Sequence, residues 1–423
     1  MTRTVLVVGG GGREHALVRA LARSAARPRI LCAPGNAGIA LDAEVHPIPA
    51  SDADAICSLA TGQRVDLTIV GPEAPLVAGL ADRLRAIGVP TVGPSAEAAR
   101  LEGSKTFAKE IMAAAGVLTA RSGTVTDVDV GLQLADEYGY PVVIKADGLA
   151  AGKGVVIAGS REEARTALIA CLELGAFGEA GHLALVEAHM TGPEVSLLAL
   201  VDGSHIARFP AARDYKRIGD GDTGPNTGGM GSVSPVPDVP DGVADALIEQ
   251  VHRPIITELA RRGIPFVGVL YAGLMMTPDG PRVLEFNTRF GDPETQALMP
   301  RLAEDPLELF DAVAAGTLSD GPVRVHADAC VAVVLAAHNY PSEPRSGDAI
   351  SGLDRAADLG AEVLHAGTCA GAGDAILTSG GRVLAVAALG STIETARLRA
   401  YAAAEVVRFS GRQMRTDIAA GLE

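Results

Sequence analysis

The apolar positions of this 423-residue chain follow two periods, and the switches between them divide it. Thr4–Val8 is a short, continuous, β-branched run, the pattern of a buried strand. From Arg13 to Ser24 the spacing lengthens, with Leu17, Ala20 and Leu21 on one side, which predicts a helix. Arg29–Cys32 and Asp66–Val70 read as further strands, Leu76–Ile87 as a helix and Pro90–Val92 as a short strand. Such alternation predicts a parallel sheet with helices on both faces. Glu97–Ala115 reads as one long helix. Beyond Gly116, strands are expected at Tyr140–Lys145, Val155–Ala158 and Leu183–Glu187, with a helix at Arg161–Glu173, so that roughly 118–188 forms a small α+β lobe. From Glu194 longer strands surround a polar, glycine-rich loop at Asp214–Ser234. A helix at Ala244–Arg262 precedes strands at Val267–Met276 and Arg282–Asn287, joined by a turn with Pro278 and Gly280 in favoured places. A last unit, from near Val323, carries strands at Ala329–Ala336 and Arg382–Leu389 and a helix at Ile393–Val406.

Length adds a prior of roughly three domains, at about 150 residues each. With 48% apolar and 21% charged residues, 50 Gly and 25 Pro, the chain is globular and rich in turns. A net charge of -15 without a basic block argues against nucleic acid or an anionic membrane as partner, so any phosphate must be held locally, by backbone N–H groups, a few cations and a metal. Cys32, Cys57, Cys171, Cys330 and Cys369 form no CxxC pair, and five reduced, buried, structural thiols in a cytoplasmic protein are expected. The apolar runs Val5–Val8 and Ala329–Ala337 predict neither a secretory leader nor a membrane helix, which needs about 20 residues.

Four segments carry chemistry. In the first, the strand Val5–Val8 runs into Gly9–Gly12 and then Arg13, Glu14 and His15, a glycine turn at a helix start that suits an anion. It is not a dinucleotide fingerprint: the third glycine falls on Glu14 or His15, and the second strand ends in Cys32-Ala33-Pro34 without an acid for a ribose diol. A lone phosphate fits better than NAD. The second, Lys145 to Gly154 with Gly148, Gly152 and Lys153, lacks the Walker spacing and its Ser/Thr, and reads as a glycine flap over a polyphosphate. The third runs from Asp214 through Asn226, Thr227, Gly228 and Gly229, a polar loop too long to be mere connection. In the fourth, Glu285 and Asn287 lie two apart on a strand and share a face, offering oxygens to a hard cation, while Arg289 continues that face and could neutralise a transferring phosphoryl group. Seven histidines without ligand spacing, His182, His189, His205, His252, His326, His338 and His365, read as structural or exposed.

Taken in order, the segments VLVVGGGGREHAL, APGNAG, VGPEAPL, LEGSK, KADGLAAGKGV, GDGDTGPNTGGMG, GVLYAGLM, VLEFNTRFGDPETQ and HAGT resemble the ATP-grasp ligases and, within them, the phosphoribosylamine–glycine ligases, over essentially the whole chain. The resemblance implies an α/β protein. It would have an N-terminal parallel-sheet (Rossmann-like) domain over 1–103 that binds phosphoribosylamine, a two-lobed ATP-grasp core over 104–325, and a small C-terminal α+β domain over 326–423. It implies ATP as co-substrate, Mg²⁺ or Mn²⁺ on Glu285 and Asn287, and glycyl phosphate as intermediate, with small-molecule partners only, acting as a monomer or small homo-oligomer. By the same analogy Lys105 and Lys145 contact phosphates, Gly148, Gly152, Lys153 and Gly154 close over them, Glu187 meets adenine and Glu194 the ribose. Gly10, Gly11, Gly12 and Arg13, with Glu14, Asn36 and Glu73, would hold the phosphoribosyl part. Asp214, Asn226, Thr227, Gly228 and Gly229, with Arg289, Asp292 and Glu294, would hold glycine and the amine. Arg289, Lys145 and Asp214 form the expected catalytic set, with no side-chain nucleophile. Two departures stand out: Tyr215 replaces a common His, and Ala336-Ala337-His338-Asn339-Tyr340-Pro341 differs from the usual small-residue run. Two other classes, an NAD-dependent oxidoreductase and a non-catalytic nucleotide-binding regulator, fit less well: the first lacks its fingerprint, and the second leaves Lys145, Glu285 and Asn287 without a purpose.

Overall fold

The computed structural model describes residues 2–149, 154–174 and 182–422. The N-terminal sheet is five-stranded and parallel, in the order Glu44–Val45, Arg29–Pro34, Thr4–Gly9, Leu67–Val70, Thr91–Val92. Thr4–Gly9 is central because all six of its residues are buried, which only an interior strand allows. The chain leaves it in opposite directions on its two sides, so the Gly9–Gly12 turn lies at the switch point where open α/β sheets bind ligands.

The small lobe is a four-stranded antiparallel sheet ordered Ser122–Val125, Ala184–Ala188, Val142–Ala146, Val155–Ala158. Its helices Val128–Tyr138 and Arg161–Leu172 pack on one another. A second five-stranded sheet runs Gly280–Asn287, Val267–Thr277, Glu194–Asp202, Ile206–Arg208, Gly321–Pro322. A third is ordered Arg213–Asp214, Gly231–Ser234, Ala329–Ala336, Arg382–Gly390, Glu362–His365, and so joins strands from both sides of residue 325. Among the described residues no helix is long and apolar enough to cross a membrane.

Five expectations need correction. The helix expected over Leu76–Ile87 is two, Glu73–Val77 and Leu80–Ala86, because Gly79 takes φ +84°, outside helical space. Glu97–Ala115 also splits, at Ser104, whose extended backbone ends Ala96–Gly103 and whose hydroxyl caps Lys105–Ala115 by accepting the Phe107 N–H. Ala244–Arg262 widens into a π-helical stretch at Ile248–His252, just before Pro254, which has no N–H to continue the ladder. The segment Asp214–Ser234 is no simple loop: it holds the strands Arg217–Gly219, Thr223–Asn226 and Gly231–Ser234, the last fully buried. The thiols also divide. No disulfide forms, but Cys369 is exposed and Cys57 half-buried, so only Cys32, Cys171 and Cys330 fit the expectation of burial. Gly152 and Lys153 lie outside the described residues.

One core cluster reaches from the N-terminal sheet to the second and third sheets, and Phe290 sits in it at 1% exposure. Phe209 and Phe310 meet its ring edge-on, each at 5.9 Å. It anchors the segment Arg289–Glu294, whose polar side chains point elsewhere. Phe290→Ala is expected to cost about 3–5 kcal/mol and to lower the thermal midpoint measurably; an unchanged midpoint in calorimetry would remove Phe290 as the anchor.

Candidate active site

The glycine turn is built around one buried carboxylate. Glu14, in the first turn of the helix Gly12–Ala22, accepts the Gly11 N–H at 2.6 Å and the Arg13 Nε–H at 2.6 Å. A Cβ on Gly9 would lie 2.6 Å from Glu14 Cγ, and one on Gly71 2.0 Å from its Oε1, so both positions are reserved for glycine by the same side chain. A Cβ on Gly10 would meet the Gly35 carbonyl oxygen at 2.5 Å, and one on Gly12 the Gln296 amide at 2.7 Å. Asn36 is fully used inside the protein: its amide donates to the carbonyls of Gly10 (2.9 Å) and His365 (2.8 Å), and its oxygen accepts from Gly38 and Ile39. Arg13 Nη1 donates to the Phe290 carbonyl at 3.1 Å, which ties the glycine turn to Arg289–Glu294.

Within that second segment Arg289 lies between Glu73 (3.2 Å) and Glu102 (2.9 Å) and donates to Asn287 Oδ1 at 3.1 Å. Burial opposes ionisation of Glu73, but Arg289 and Arg13 hold its carboxyl below the usual range. Burial also raises Glu102, against the pull of Arg289. Asp292 binds Arg382 Nη2 at 3.0 Å and accepts from Gln296 at 2.7 Å. Arg382 also donates to the carbonyls of Gly228 and Asp292, so it joins two segments that are far apart in sequence. Glu294 is buried and accepts from Ser196 (2.9 Å) and Tyr271 (3.1 Å).

Between the small lobe and the second sheet lies a cluster of lysines. Lys145, on the strand Val142–Ala146, is 6% exposed; its Nζ contacts Glu187 Oε2 at 2.7 Å and the Leu284 carbonyl at 3.1 Å. Lys109 takes the other oxygen of Glu187 at 2.8 Å. Burial works against a charged Glu187, yet the two ammonium groups keep its carboxyl below the usual range. Glu187 thus braces Lys145 within the protein. Lys105 Nζ donates to the Gly148 carbonyl at 2.9 Å, and Asp147 accepts the Thr106 N–H at 3.0 Å, so the foot of the glycine flap is fastened to the start of the helix Lys105–Ala115. Burial, with Lys145 nearby, lowers the Lys105 ammonium. The Gly154 carbonyl, at the far side of the flap, accepts the Ala146 N–H at 2.9 Å.

Glu285 and Asn287 stand opposite Gly273 and Tyr271 on the strand Gly280–Asn287, both half-buried. The Glu285 carboxylate accepts no hydrogen bond from the described residues. Burial opposes its charge, and Lys216, Lys145, Lys105 and Arg289 together outweigh that and keep it ionised. Glu194 meets Lys216 at 2.6 Å. Asp214 stands beside this pair. Burial first, then the carboxylates of Glu294, Glu194 and Glu285, raise it to about 7 against the opposing charge of Lys216. Thr227 closes the group: its N–H and hydroxyl both donate to the Lys216 carbonyl, at 2.7 and 2.8 Å. Gly229, at φ +107°, packs where a Cβ would be 2.4 Å from Pro293.

The structure therefore brings Lys105, Lys145, Glu187, Glu285, Asn287 and Arg289 into one cluster. It joins Gly10–Glu14, Asn36, Glu73 and Asp292 around the glycine turn, and sets Asp214, Glu194, Asn226–Gly229 and Glu294 beside both. Sequence reading gave no role to Lys109, Glu102, Lys216 or Arg382, although Glu102 and Lys216 lie within segments it singled out. Lys109 follows Lys105 by four residues on a helix, and Lys216 follows Asp214 by two, so each had a spacing signal. Arg382 had none, since its partners are 90 and 154 residues away.

The chain resembles known proteins along nearly its whole length. The phosphoribosylglycinamide synthetase models match as an N domain over residues 3–102, an ATP-grasp (A) domain over 103–295 and a C domain over 330–421. A phosphoribosylamine–glycine ligase from Streptomyces coelicolor is 51% identical over 98% of both chains, and one from Mycobacterium leprae is 47% identical over 98% of this chain and 97% of its own. The crystal structure of a phosphoribosylamine–glycine ligase from Thermotoga maritima superposes with a TM-score of 0.85 at 33% identity, covering 98% of this chain and all of that one. A biotin carboxylase from Campylobacter jejuni shares the fold at a TM-score of 0.74 and 15% identity, over 98% of this chain and 93% of its own. With all three family models matched in order along the chain, this protein belongs to the phosphoribosylglycinamide synthetase family.

Proposed function

We propose that the chain uses ATP to join glycine to 5-phosphoribosylamine, giving glycinamide ribonucleotide, ADP and phosphate, a step of purine biosynthesis in the cytoplasm. The observation that carries this reading is Glu285, a carboxylate that accepts no hydrogen bond from the described residues and faces four cations. That is a site prepared for phosphates and a metal. No group of three His, Cys, Asp or Glu suited to a metal occurs among the described residues. Two protein oxygens, from Glu285 and Asn287, therefore suit a Mg²⁺-like ion that takes its other ligands from phosphate and water. Mg²⁺ or Mn²⁺ held there would neutralise phosphate charge.

A carboxylate is a poor electrophile, and phosphorylation by ATP gives glycine a leaving group. Lys105, Lys145 and Arg289 balance charge during that transfer, where positioning and electrostatics do most of the work. Glu187 and Lys109 keep Lys145 in place, and Glu73 and Glu102 do so for Arg289. Glu194 is proposed at the ATP ribose, within reach of Lys216. Gly148 and Gly154, at the two ends of the glycine-rich segment, are proposed beside the phosphates. The glycine turn Gly10–Gly12, with Arg13 and Asp292 beside it, takes the phosphoribosyl end. Glu14 and Asn36 shape that turn from inside. Asp214 and the loop Asn226–Gly229 take glycine and the amine, with Glu294 behind them. The amine attacks the acyl carbon of glycyl phosphate, phosphate leaves, and the nitrogen sheds a proton that Asp214 is placed to accept. The chain is divided for these tasks at about residues 103 and 325.

ADP release with ATP, Mg²⁺, glycine and fresh phosphoribosylamine should require every component. Turnover with another acid or amine in their place would keep the acyl-phosphate chemistry and overturn the substrates. Glu285→Ala should lower turnover by more than about 100-fold with an unchanged thermal midpoint; activity near wild type would remove it from the site. Because Asp214 must be ionised to take a proton and stands at about 7, kcat/KM should fall with unit slope as pH drops through that value. Asp214→Asn should abolish that limb; a limb that persists in the variant would assign the proton elsewhere.

A further inference from the structure

The hairpin that follows Lys216 consists of two short strands, Arg217–Gly219 and Thr223–Asn226, paired with a register shift and with no third strand among the described residues. An isolated two-stranded hairpin is marginal on its own. What orders this one is the end of the chain. Arg415 is fully buried, with 1% of its side chain exposed. Its Nε and Nη2 donate to Asp417 at 2.7 and 2.6 Å, and its Nη1 donates to Asp222 at 2.7 Å and to the Arg217 carbonyl at 3.2 Å. Its guanidinium carbon stands 5.1 Å from the centre of the Tyr215 ring. The Tyr215 hydroxyl accepts the Ala419 N–H at 2.9 Å. Asp220 accepts the N–H and hydroxyl of Thr416, and the Gly221 N–H donates to Asp417 at 2.8 Å.

Residues 415–419 therefore hold both chain neighbours of Lys216, Tyr215 and Arg217, and the hairpin tip as well. Lys216 itself faces the other way, with its ammonium on Glu194 and its carbonyl on Thr227. Burying an arginine is expensive, and a well-packed apolar residue is often as stable in its place. What the charged fork adds is a single geometry for the segments it bonds. Tyr215 serves that same attachment.

We propose that Arg415 is a positioning residue for the ligation: through Tyr215, Arg217 and Asp222 it fixes the direction of Lys216 and the course of the loop Asn226–Gly229. This rests on the reading of that loop as part of the glycine and amine site. The test compares full-length wild type, Arg415→Met, Arg415→Lys and Asp222→Asn by steady-state kinetics and by hydrogen exchange. In Arg415→Met the KM for glycine should rise at least about 10-fold and kcat should fall, while the KM for ATP, whose proposed ribose carboxylate Glu194 also meets Lys216, should rise by less than that for glycine. Amide exchange should quicken over 214–229 and not in the small lobe. Arg415→Lys should recover part of the loss. A merely structural role would lower the thermal midpoint and the active fraction with every KM unchanged, and would overturn the proposal. If Arg415→Met does not fold, Asp222→Asn carries the test, since it weakens the same fork from its exposed side; an unchanged glycine KM and unchanged exchange there would be equally decisive. Should the wild-type enzyme ligate no glycine, the reading of the site fails, while the exchange data still decide whether Arg415 orders 214–229.

Discussion

The charged cluster around Glu285 depends on keeping several cations charged where water is scarce. Lys105, Lys145, Lys216 and Arg289 converge on Glu285, and like charges this close would expel one another or lose protons without compensation. The protein compensates from behind. Glu187 lies between Lys109 and Lys145, Glu73 and Glu102 flank Arg289, and Glu194 holds Lys216. Each carboxylate sits on a different element, so the charge balance also fixes how the lobes and the N-terminal sheet meet.

The same network explains why single residues resist a single role. Glu187 shapes the cluster by bracing a lysine, and Asn36 shapes the glycine turn without an atom to spare. Glu14 fills the space that Gly9 and Gly71 leave. Residues drawn from a motif are therefore of two kinds, those that face a substrate and those that hold the first kind still. Spacing along the chain does not separate them, because both kinds must sit beside the same turn.

Much of the fold was legible in the sequence. The continuous apolar runs marked Thr4–Gly9 and Ala329–Ala336, and the 3.6 period marked Ile393–Val406 at its true limits. Where reading failed, a local cap or backbone choice was responsible: Gly79 and Ser104 cut helices whose apolar pattern continued through them. The helices Ala53–Gly62 and Val128–Tyr138, capped by Asp52 and Asp127, escaped notice although both carry an N-cap signature. The pairing of Glu285 with Asn287 could be read from strand geometry. The roles of Arg382 and Arg415 could not, since their partners are brought in only by tertiary packing, the second across 193 to 198 residues of chain.

The attachment of Tyr215 to Ala419 spans 204 residues. Synthesis proceeds at about 5–20 residues per second, so the hairpin beyond Lys216 waits on the order of ten to forty seconds for its anchor to be made. A nascent chain can complete the small lobe long before it can complete the hairpin. A chain interrupted before Arg415 would carry the hairpin without the contacts that order it.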